Sequence, residues 1–178
     1  MKHARALMVT IALLGPGVLA GCGSVATASG EPGPIAFKAD DAPAEGATIA
    51  LQSTRSLGDV MVVDVVARGA KELHGAAFRL SYDPEVLTFA SSEAGGSWSK
   101  SSFALTREAT PGMLLVTWSE KGEVGIDASK DTVLGSLTFQ VKGRKATPLS
   151  FKVERSQIVD KRGGKLAASW RGGTLAAR

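Results

Sequence analysis

The feature of this sequence that most constrains its fold is a succession of short β-type runs, each closed by Gly, Pro or Asp. In residues 75–82, for example, the side chains alternate with the two-residue period of a half-buried strand. No stretch of ten or more residues has a helical apolar period. The runs lie at 47–53, 60–67, 75–82, 86–90, 103–107, 112–119, 132–142, 148–153 and 165–170. This pattern predicts an all-β chain folded as an antiparallel β-sandwich of about nine strands.

The first 21 residues have the order of a secretory signal peptide. Lys2 and Arg5 precede an apolar run from Leu7 to Ala20, which closes on small residues. At about 1.5 Å of helical rise per residue this run spans about 21 Å, short of a hydrocarbon core of about 30 Å. A cleaved leader is therefore favoured over a transmembrane anchor.

The single cysteine of the chain directly follows this leader. Residues 19–22, Leu-Ala-Gly-Cys, resemble the bacterial lipobox, which implies cleavage before Cys22 and attachment of lipid to its thiol. Each buried methylene contributes about 0.8 kcal/mol, so two or more acyl chains would anchor the protein persistently in a membrane. Gly23, where Asp favours the inner membrane in enterobacteria, favours the outer membrane here. The alternative is an incidental cysteine beside an ordinary cleavage site.

Residues 22–46 are predicted to be a lipidated N-terminus and a flexible linker. Of the 24 residues from 23 to 46, 16 are Ala, Gly, Ser, Thr or Pro, a composition typical of a tether. The folded domain is accordingly predicted to span residues 47–178. One alternative stays open, in which Ile35 and Phe37 form a short strand docked on the domain.

A family resemblance begins at residues 78–89, FRLSYDPEVLTF, which resemble the third strand and following turn of cohesin domains. Asp83-Pro84 would end the strand, because proline cannot donate to a ladder. Residues 112–121, 131–143 and 148–166 are similar to later cohesin strands in the same order. The resemblance covers about residues 47–178. It implies a jelly-roll of nine strands, no enzymatic activity, and binding to a dockerin or, in related domains, to polysaccharide.

The sequence departs from the dockerin-binding pattern at one place. Many type I cohesins carry hydrogen-bonding side chains shortly before the Phe of the third strand, on the sheet that faces the dockerin. The matching residues here are Gly75 and Ala77, whose side chains neither donate nor accept. This departure argues against a dockerin partner of the usual kind.

Catalytic and metal-binding candidates are few. His74, the one histidine after the leader, is predicted to be an exposed or locally bonded turn residue, since no nucleophile motif accompanies it. Asp83 and Glu85 could pair as acid and base, but the Asp-Pro turn explains Asp83. Asp127 and Asp131 could hold calcium, although a solvated loop is favoured. One cysteine excludes an intramolecular disulfide and a multi-Cys zinc site. We therefore predict a protein without catalysis, cofactor or metal, with a glycan hydrolase as a competing alternative.

Aromatic side chains are the candidates for stacking on a sugar ring. Trp98 lies in the Gly/Ser-rich loop AGGSWSKSS, where it either presents a face to solvent or folds back over the edge of the core. Trp118 belongs to one of two alternating sets of its strand, and the pattern does not identify the exposed set. Tyr82 shares a side with Phe78 and is predicted to lie in the core.

The charges are unevenly distributed. Removing residues 1–21 lowers the net charge from +4 to +2. Residues 22–140 hold 9 basic and 15 acidic side chains, whereas residues 141–178 hold 10 and 2. The C-terminal cations could attract an anionic surface, or acidic strands could compensate them in the folded protein. Nucleic acid is not expected for an exported, aromatic-poor domain without a recognised binding motif. The candidate cationic ligand-binding residues are Arg79, Lys142, Arg144, Lys161 and Arg162.

Together these features predict an exported, membrane-anchored lipoprotein whose domain is a non-catalytic binding module for a protein or a polysaccharide at the cell envelope. Two alternatives remain within this class. One is a carbohydrate-binding module linked to polysaccharide breakdown, and the other is a dockerin-binding component of a scaffold.

Overall fold

The computed structural model describes residues 35–41 and 45–177. The predicted signal peptide and Cys22 lie outside the described residues. Within them are fifteen strand segments and one short 3-10 helix, Val153–Arg155. The strands are β1 (Ile35–Ala39), β2 (Thr48–Leu57), β3 (Val60–Arg68), β4 (Ala70–Leu73), β5 (Gly75–Ser81), β6 (Leu87–Ala94), β7 (Phe103–Thr110), β8 (Met113–Ser119), β9 (Ile126–Ala128), β10 (Thr132–Val141), β11 (Thr147–Phe151), β12 (Gln157–Val159), β13 (Lys165–Leu166), β14 (Ser169–Arg171) and β15 (Gly173–Ala177).

Two sheets form a sandwich, which confirms the predicted fold class. The eight-stranded sheet has the order β1-β15-β11-β5-β12-β13, with β8 paired to β5 and β7 paired to β8. The five-stranded sheet has the order β14-β2-β3-β10-β6, and β4 with β9 forms a separate two-stranded ribbon. The β14–β2 pair is parallel, whereas the other recorded pairs are antiparallel. Strands β14 and β15 follow each other along the chain but lie in different sheets, which is consistent with a jelly-roll.

Alternating side chains of each sheet build the core between them. On β5 the inward residues Ala76, Phe78 and Leu80 are at most 1% exposed. Leu114 and Val116 on the neighbouring β8 are equally buried. Removing this apolar area from water is the main favourable contribution to folding, at about 25 cal/mol per Å².

An aromatic cluster occupies the core beneath β5. The Phe78 ring lies 5.5 Å from the Trp118 ring and 5.3 Å from the Phe151 ring, both edge to face. Trp170 packs 5.1 Å from Phe151. Edge-to-face pairs of this kind add about 0.5–1.5 kcal/mol beyond their buried area.

The Asp-Pro turn after β5 is tied to the hairpin between β7 and β8. Gly112 has φ +82°, and a Cβ there would lie 2.6 Å from the Tyr82 carbonyl oxygen. The buried Tyr82 donates its hydroxyl to Glu108, and burial is the main reason that the pKa of Tyr82 is raised. Asp83 accepts from the Glu85 backbone N–H at 2.9 Å, which accounts for Asp83 as a turn residue. The expectation that Tyr82 is a core residue is confirmed.

The folded domain begins before residue 47, the predicted start. Strand β1 pairs with β15 along its whole length, from Ile35 opposite Ala177 to Ala39 opposite Gly173. Ile35 is buried and Phe37 packs against the core. Residues 35–39 are therefore a docked strand rather than linker, because pairing with β15 satisfies their backbone polar groups. No helix in the described part of the chain is long and apolar enough to cross a membrane.

Candidate functional site

The outward face formed by β12, β5, β8 and β7 is the candidate site. The pairing register of the strands aligns the outward side chains of this face in rows that run across neighbouring strands. One row joins Gln157, Ala77, Thr117 and Leu105. The rows on either side of it are Val159, Gly75, Ser119 and Phe103, and then Arg79, Leu115 and Arg107.

Small side chains leave a depression of about 190 Å³ in the middle of this face. A Cβ on Gly75 would lie 2.9 Å from Val159 Cγ2, so the glycine lets β5 and β12 approach closely here. Ala77 and Thr117 are half-buried beside it. The depression is lined by Gly75, Ala76, Ala77, Thr117, Trp118, Ser119, Gln157 and Val159.

The rim of the face carries charge and apolar surface on different sides. Arg79 on β5 and Arg107 on β7 lie on either side of Leu115 on β8, so two guanidinium groups flank one apolar side chain. Phe103 and Leu105, at the β7 edge, are 45% and 46% exposed. A central small-residue surface with an apolar and cationic border has the character of a protein-docking surface.

The structure contradicts both tryptophans as sugar-stacking residues. Trp118 is 1% exposed and packs edge to face with Phe78. Trp98 is 7% exposed, and its indole Nε1 donates to the Leu134 carbonyl oxygen at 2.6 Å. Neither ring presents a face to a ligand, because apolar burial and this hydrogen bond hold each ring inside the sandwich. For Trp98 the alternative of folding back over the core is the one observed.

The C-terminal cations do not form one patch, as two groups of them lie at opposite ends of β5. Lys142 donates to the Pro84 carbonyl oxygen at 2.6 Å, just beyond the last residue of β5. Lys161 pairs with Glu123 and follows Val159, which is opposite Gly75, the first residue of β5. Acidic side chains therefore compensate some of the C-terminal cations in the folded protein, as Glu123 does for Lys161.

Two ion pairs formed by the C-terminal cations, Arg144 with Asp59 and Lys161 with Glu123, are solvent-exposed. Arg144 lies 3.7 Å from Asp59, and the Lys161 ammonium lowers the pKa of Glu123, chiefly through their hydrogen bond. Arg162, also exposed, lies in the turn after β12, where its backbone N–H donates to Asp160. Exposed ion pairs of this kind contribute about 0–1 kcal/mol to the free energy of unfolding. Their main effect is therefore to fix where the charges lie on the surface. Of the predicted cations, only Arg79 lies on the candidate face.

His74 and the two loop aspartates have structural roles. His74 is 6% exposed, and its Nδ1 lies 3.2 Å from the Glu72 carbonyl oxygen, so it is locally bonded and buried. Asp131 forms a bidentate pair with Arg68, which lowers the pKa of Asp131. Asp127 accepts from the Ser129 backbone N–H at 3.0 Å. No cluster of three or more His, Cys, Asp or Glu suited to a metal occurs among the residues that the structure describes.

Glu120 holds together two loops at the end of β8. Its carboxylate accepts from the Ser99 backbone N–H at 2.8 Å, from the Ser99 hydroxyl, and from the backbone N–H groups of Lys121 and Gly122 at 2.9 and 3.1 Å. These hydrogen bonds, that of the Ser99 side chain first, lower the pKa of Glu120 from 4.5 to about 2. The folded state therefore favours the ionised carboxylate.

This pKa shift predicts an acid-dependent contribution to stability. Because the folded-state pKa is depressed, the contribution is complete above pH 4.5 and is lost as the pH falls towards about 2. The midpoint temperature of thermal unfolding, measured across this pH range, is expected to decrease less steeply on acidification for Glu120→Gln than for the wild type. The exposed Glu93→Gln serves as control. Equal slopes for wild type and Glu120→Gln would contradict the assignment.

The sequence pattern predicts only some of the residues of this face. Gly75, Ala77 and Arg79 belong to the alternating run that carried the resemblance, and the structure places all three on the candidate face. Thr117 and Leu115 were in the alternation of β8, but the alternation alone did not say which set is exposed. Gln157 and Val159 lie in a strand of three residues, too short to produce a periodic signal.

Comparison with known proteins gives one family and a group of similar folds. The model of the cohesin domain family matches residues 35–168. None of the curated protein sequences compared with the chain matches it.

Three solved structures illustrate the similarity. The sixth cohesin of scaffoldin B from Acetivibrio cellulolyticus, solved in complex with a Cel5 dockerin mutant, is 20% identical with a TM-score of 0.62 and covers 73% of this chain and 97% of its own. A non-cellulosomal cohesin from the archaeon Archaeoglobus fulgidus is 21% identical with a TM-score of 0.59, covering 72% and 89%. The solution structure of CaCohA2 from Clostridium acetobutylicum is 15% identical with a TM-score of 0.63, covering 75% and 90%. At these identities the similarity concerns the fold.

Proposed function

Because the chain belongs to the cohesin domain family, we propose that it is a non-catalytic binding module that docks a dockerin-like protein on the outward face of β12, β5, β8 and β7. The observation that carries this proposal is the depression between Gly75, Ala77 and Thr117 in the middle of that face. The exposed Phe103 and the two arginines at its border are residue types enriched in protein interfaces.

The chemistry of the face favours a protein over a polysaccharide. Stacking on a sugar ring needs an exposed aromatic face, and both candidate tryptophans are buried. The exposed aromatic side chain of this face, Phe103, lies at its β7 edge, away from the depression. The small residues Gly75 and Ala77 would contact an apolar side chain of the partner in the depression. Thr117, Ser119 and Gln157, which also line it, would offer hydroxyl and amide groups to polar atoms beside that side chain. The Arg79 and Arg107 guanidinium groups would pair with carboxylates at the edge of the partner.

Similar structures support a dockerin as the class of partner. The sixth cohesin of scaffoldin B from Acetivibrio cellulolyticus was solved in complex with a dockerin. Calorimetric titration of this protein with dockerin modules encoded in its own genome is expected to give saturable binding. A genome without any dockerin-like sequence, or an absence of heat with every such module, would contradict the proposal.

We further propose that the module is exported and anchored by lipid on Cys22, at the outer rather than the inner membrane. Cys22 ends the lipobox-like sequence, and the first described strand begins at Ile35. Residues 23–34, if fully extended, would span at most about 40 Å, which would hold the module near the membrane surface. The anchor and the docking face are separate parts of the proposal and are tested separately.

The anchor is tested by metabolic labelling with an alkyne analogue of palmitate. The wild-type chain is expected to carry the label and to sediment with membranes, because the thiol of Cys22 is its site of lipidation. The variant Cys22→Ser is expected to lose the label and the membrane association, whereas Ser24→Ala keeps both. Label retained by Cys22→Ser, or absent from the wild type, would overturn the anchor.

A further inference from the structure

Strand β7 is exposed on both of its faces. Seven of its residues are exposed, and Thr106 is half-buried. Within the part of the chain that the structure describes, β7 pairs with β8 alone, so its other edge offers backbone N–H and C=O groups to a further strand. Phe103 and Leu105 stand on its outward face, 45% and 46% exposed.

The first part of β7 has the regular geometry that strand addition requires. Its register against β8 is continuous from Phe103 to Glu108, and the irregularity lies between Glu108 and Thr110. Edge strands are normally protected by bulges, charges or proline, and a regular edge with exposed apolar side chains is a template for another strand. The five residues 103–107 therefore form an open pairing segment.

We propose that a second copy of this chain occupies this edge, with the two β7 strands paired antiparallel about a two-fold axis at Leu105. In this register Leu105 of one copy lies opposite Leu105 of the other, and Phe103 lies opposite Arg107 on each side. Ala104 lies opposite Thr106 on the other face of the ladder. Because side chains directly opposite each other are the units of sheet stabilisation, the strand is its own complement.

The side-chain chemistry and the number of paired residues together favour this register over its neighbours. Leu105 gains an apolar partner, and each Arg107 guanidinium lies beside a Phe103 ring, where cation–π attraction operates. A centre at Arg107 would place two guanidinium groups opposite each other. A centre at Thr106 would place Leu105 opposite Arg107 and leave both apolar side chains without apolar partners. A centre at Ala104 would pair Phe103 with Leu105 but would use only three residues of each strand, since β7 begins at Phe103.

Pairing at this edge would join the eight-stranded sheets of two copies into one continuous sheet. Strand β8 lies between β7 and β5, so the depression beside Gly75 stays open on each copy. Two partner-docking faces would then lie side by side on the same surface. Such an arrangement raises the effective concentration of the second docking site for a partner that carries two modules.

Cysteine crosslinking tests the register directly. Cys22 is the only cysteine, so the full chain carrying Cys22→Ser provides a cysteine-free background. In that background Leu105→Cys is expected to form disulfide-linked dimers on mild oxidation, because directly opposite Cα atoms lie about 4.5–5.5 Å apart, within disulfide range. Arg107→Cys is expected to form no disulfide-linked dimer, since its two copies would be about 14 Å apart along the strands. Mixed Phe103→Cys and Arg107→Cys chains are expected to crosslink with each other.

Sedimentation velocity tests the association without crosslinking. The Cys22→Ser chain is expected to show a concentration-dependent dimer, Leu105→Lys is expected to be monomeric, and Leu57→Lys, at the exposed tip of the β2–β3 hairpin, is expected to keep the dimer. A Cys22→Ser chain that stays monomeric up to about 1 mM would overturn the proposal. Crosslinking at Leu105→Cys no greater than at Arg107→Cys, or greatest at Thr106→Cys, would overturn the register.

Discussion

Arginine in place of Thr117 is expected to weaken partner binding by about 30-fold or more, because truncating or blocking a central contact of an interface costs about 2 kcal/mol or more. Thr117 lies on β8 in the row with Ala77 and Leu105, and it lines the depression. A long cationic side chain there would fill the space proposed for an apolar side chain of the partner. It would also add a third guanidinium group near Arg79 and Arg107.

A matched control is available on the other sheet. Thr138 is also half-buried, lies on the interior strand β10 between β3 and β6, and points outward from the five-stranded sheet. Thr138→Arg is expected to bind the dockerin partner as tightly as the wild type in calorimetry. Equal weakening by both substitutions would assign the effect to folding rather than to the face, and unchanged binding by Thr117→Arg would contradict the proposed site.

Alanine in place of Trp118 is expected to lower the free energy of unfolding by about 3–5 kcal/mol, the range for a buried Trp or Phe replaced by Ala. The indole is 1% exposed and packs edge to face against Phe78. Its far edge lies so close to β10 that a Cβ on Gly135 would be 2.6 Å from it. Both sheets therefore pack closely against this ring. The cavity left by its removal cannot close unless both sheets move.

Urea denaturation followed by far-ultraviolet circular dichroism measures this change. Leu57→Ala is the control, because Leu57 is 77% exposed and its substitution is expected to change stability by less than about 0.5 kcal/mol. A loss below about 1 kcal/mol for Trp118→Ala would contradict the burial of Trp118 and would reopen its assignment as a ligand-facing residue.

Strands with strong alternation were predictable from sequence, and the strands with little pattern were not. Residues 75–82 and 132–142 correspond closely to β5 and β10, since apolar residues recur at every second position over much of each stretch. The strand β1 lies in a stretch rich in Ala, Gly and Pro, where composition favours a linker. Its pairing with β15 depends on a contact between the two ends of the domain, which no local pattern records.

The candidate site was predictable only in part for the same reason. Gly75, Ala77 and Arg79 could be assigned to one strand, but their neighbours across the face come from β8 and β12, whose register is set by tertiary pairing. Trp98 was ambiguous because a loop sequence does not reveal whether its ring finds a buried acceptor. Here that acceptor is the Leu134 carbonyl, on a strand 36 residues away in sequence.

The measurement that tests the docking face most directly is photo-crosslinking in cells from two outward positions. Benzoylphenylalanine is introduced at Leu115, on β8 beside the depression, or at Thr138, on the opposite outward face, in the otherwise unchanged full chain. A discrete crosslinked protein adduct, identified by mass spectrometry as dockerin-bearing, is expected from position 115 and not from position 138. The same adduct from both positions, or an adduct from position 138 alone, would contradict the proposal that this protein docks its partner on the face of β12, β5, β8 and β7.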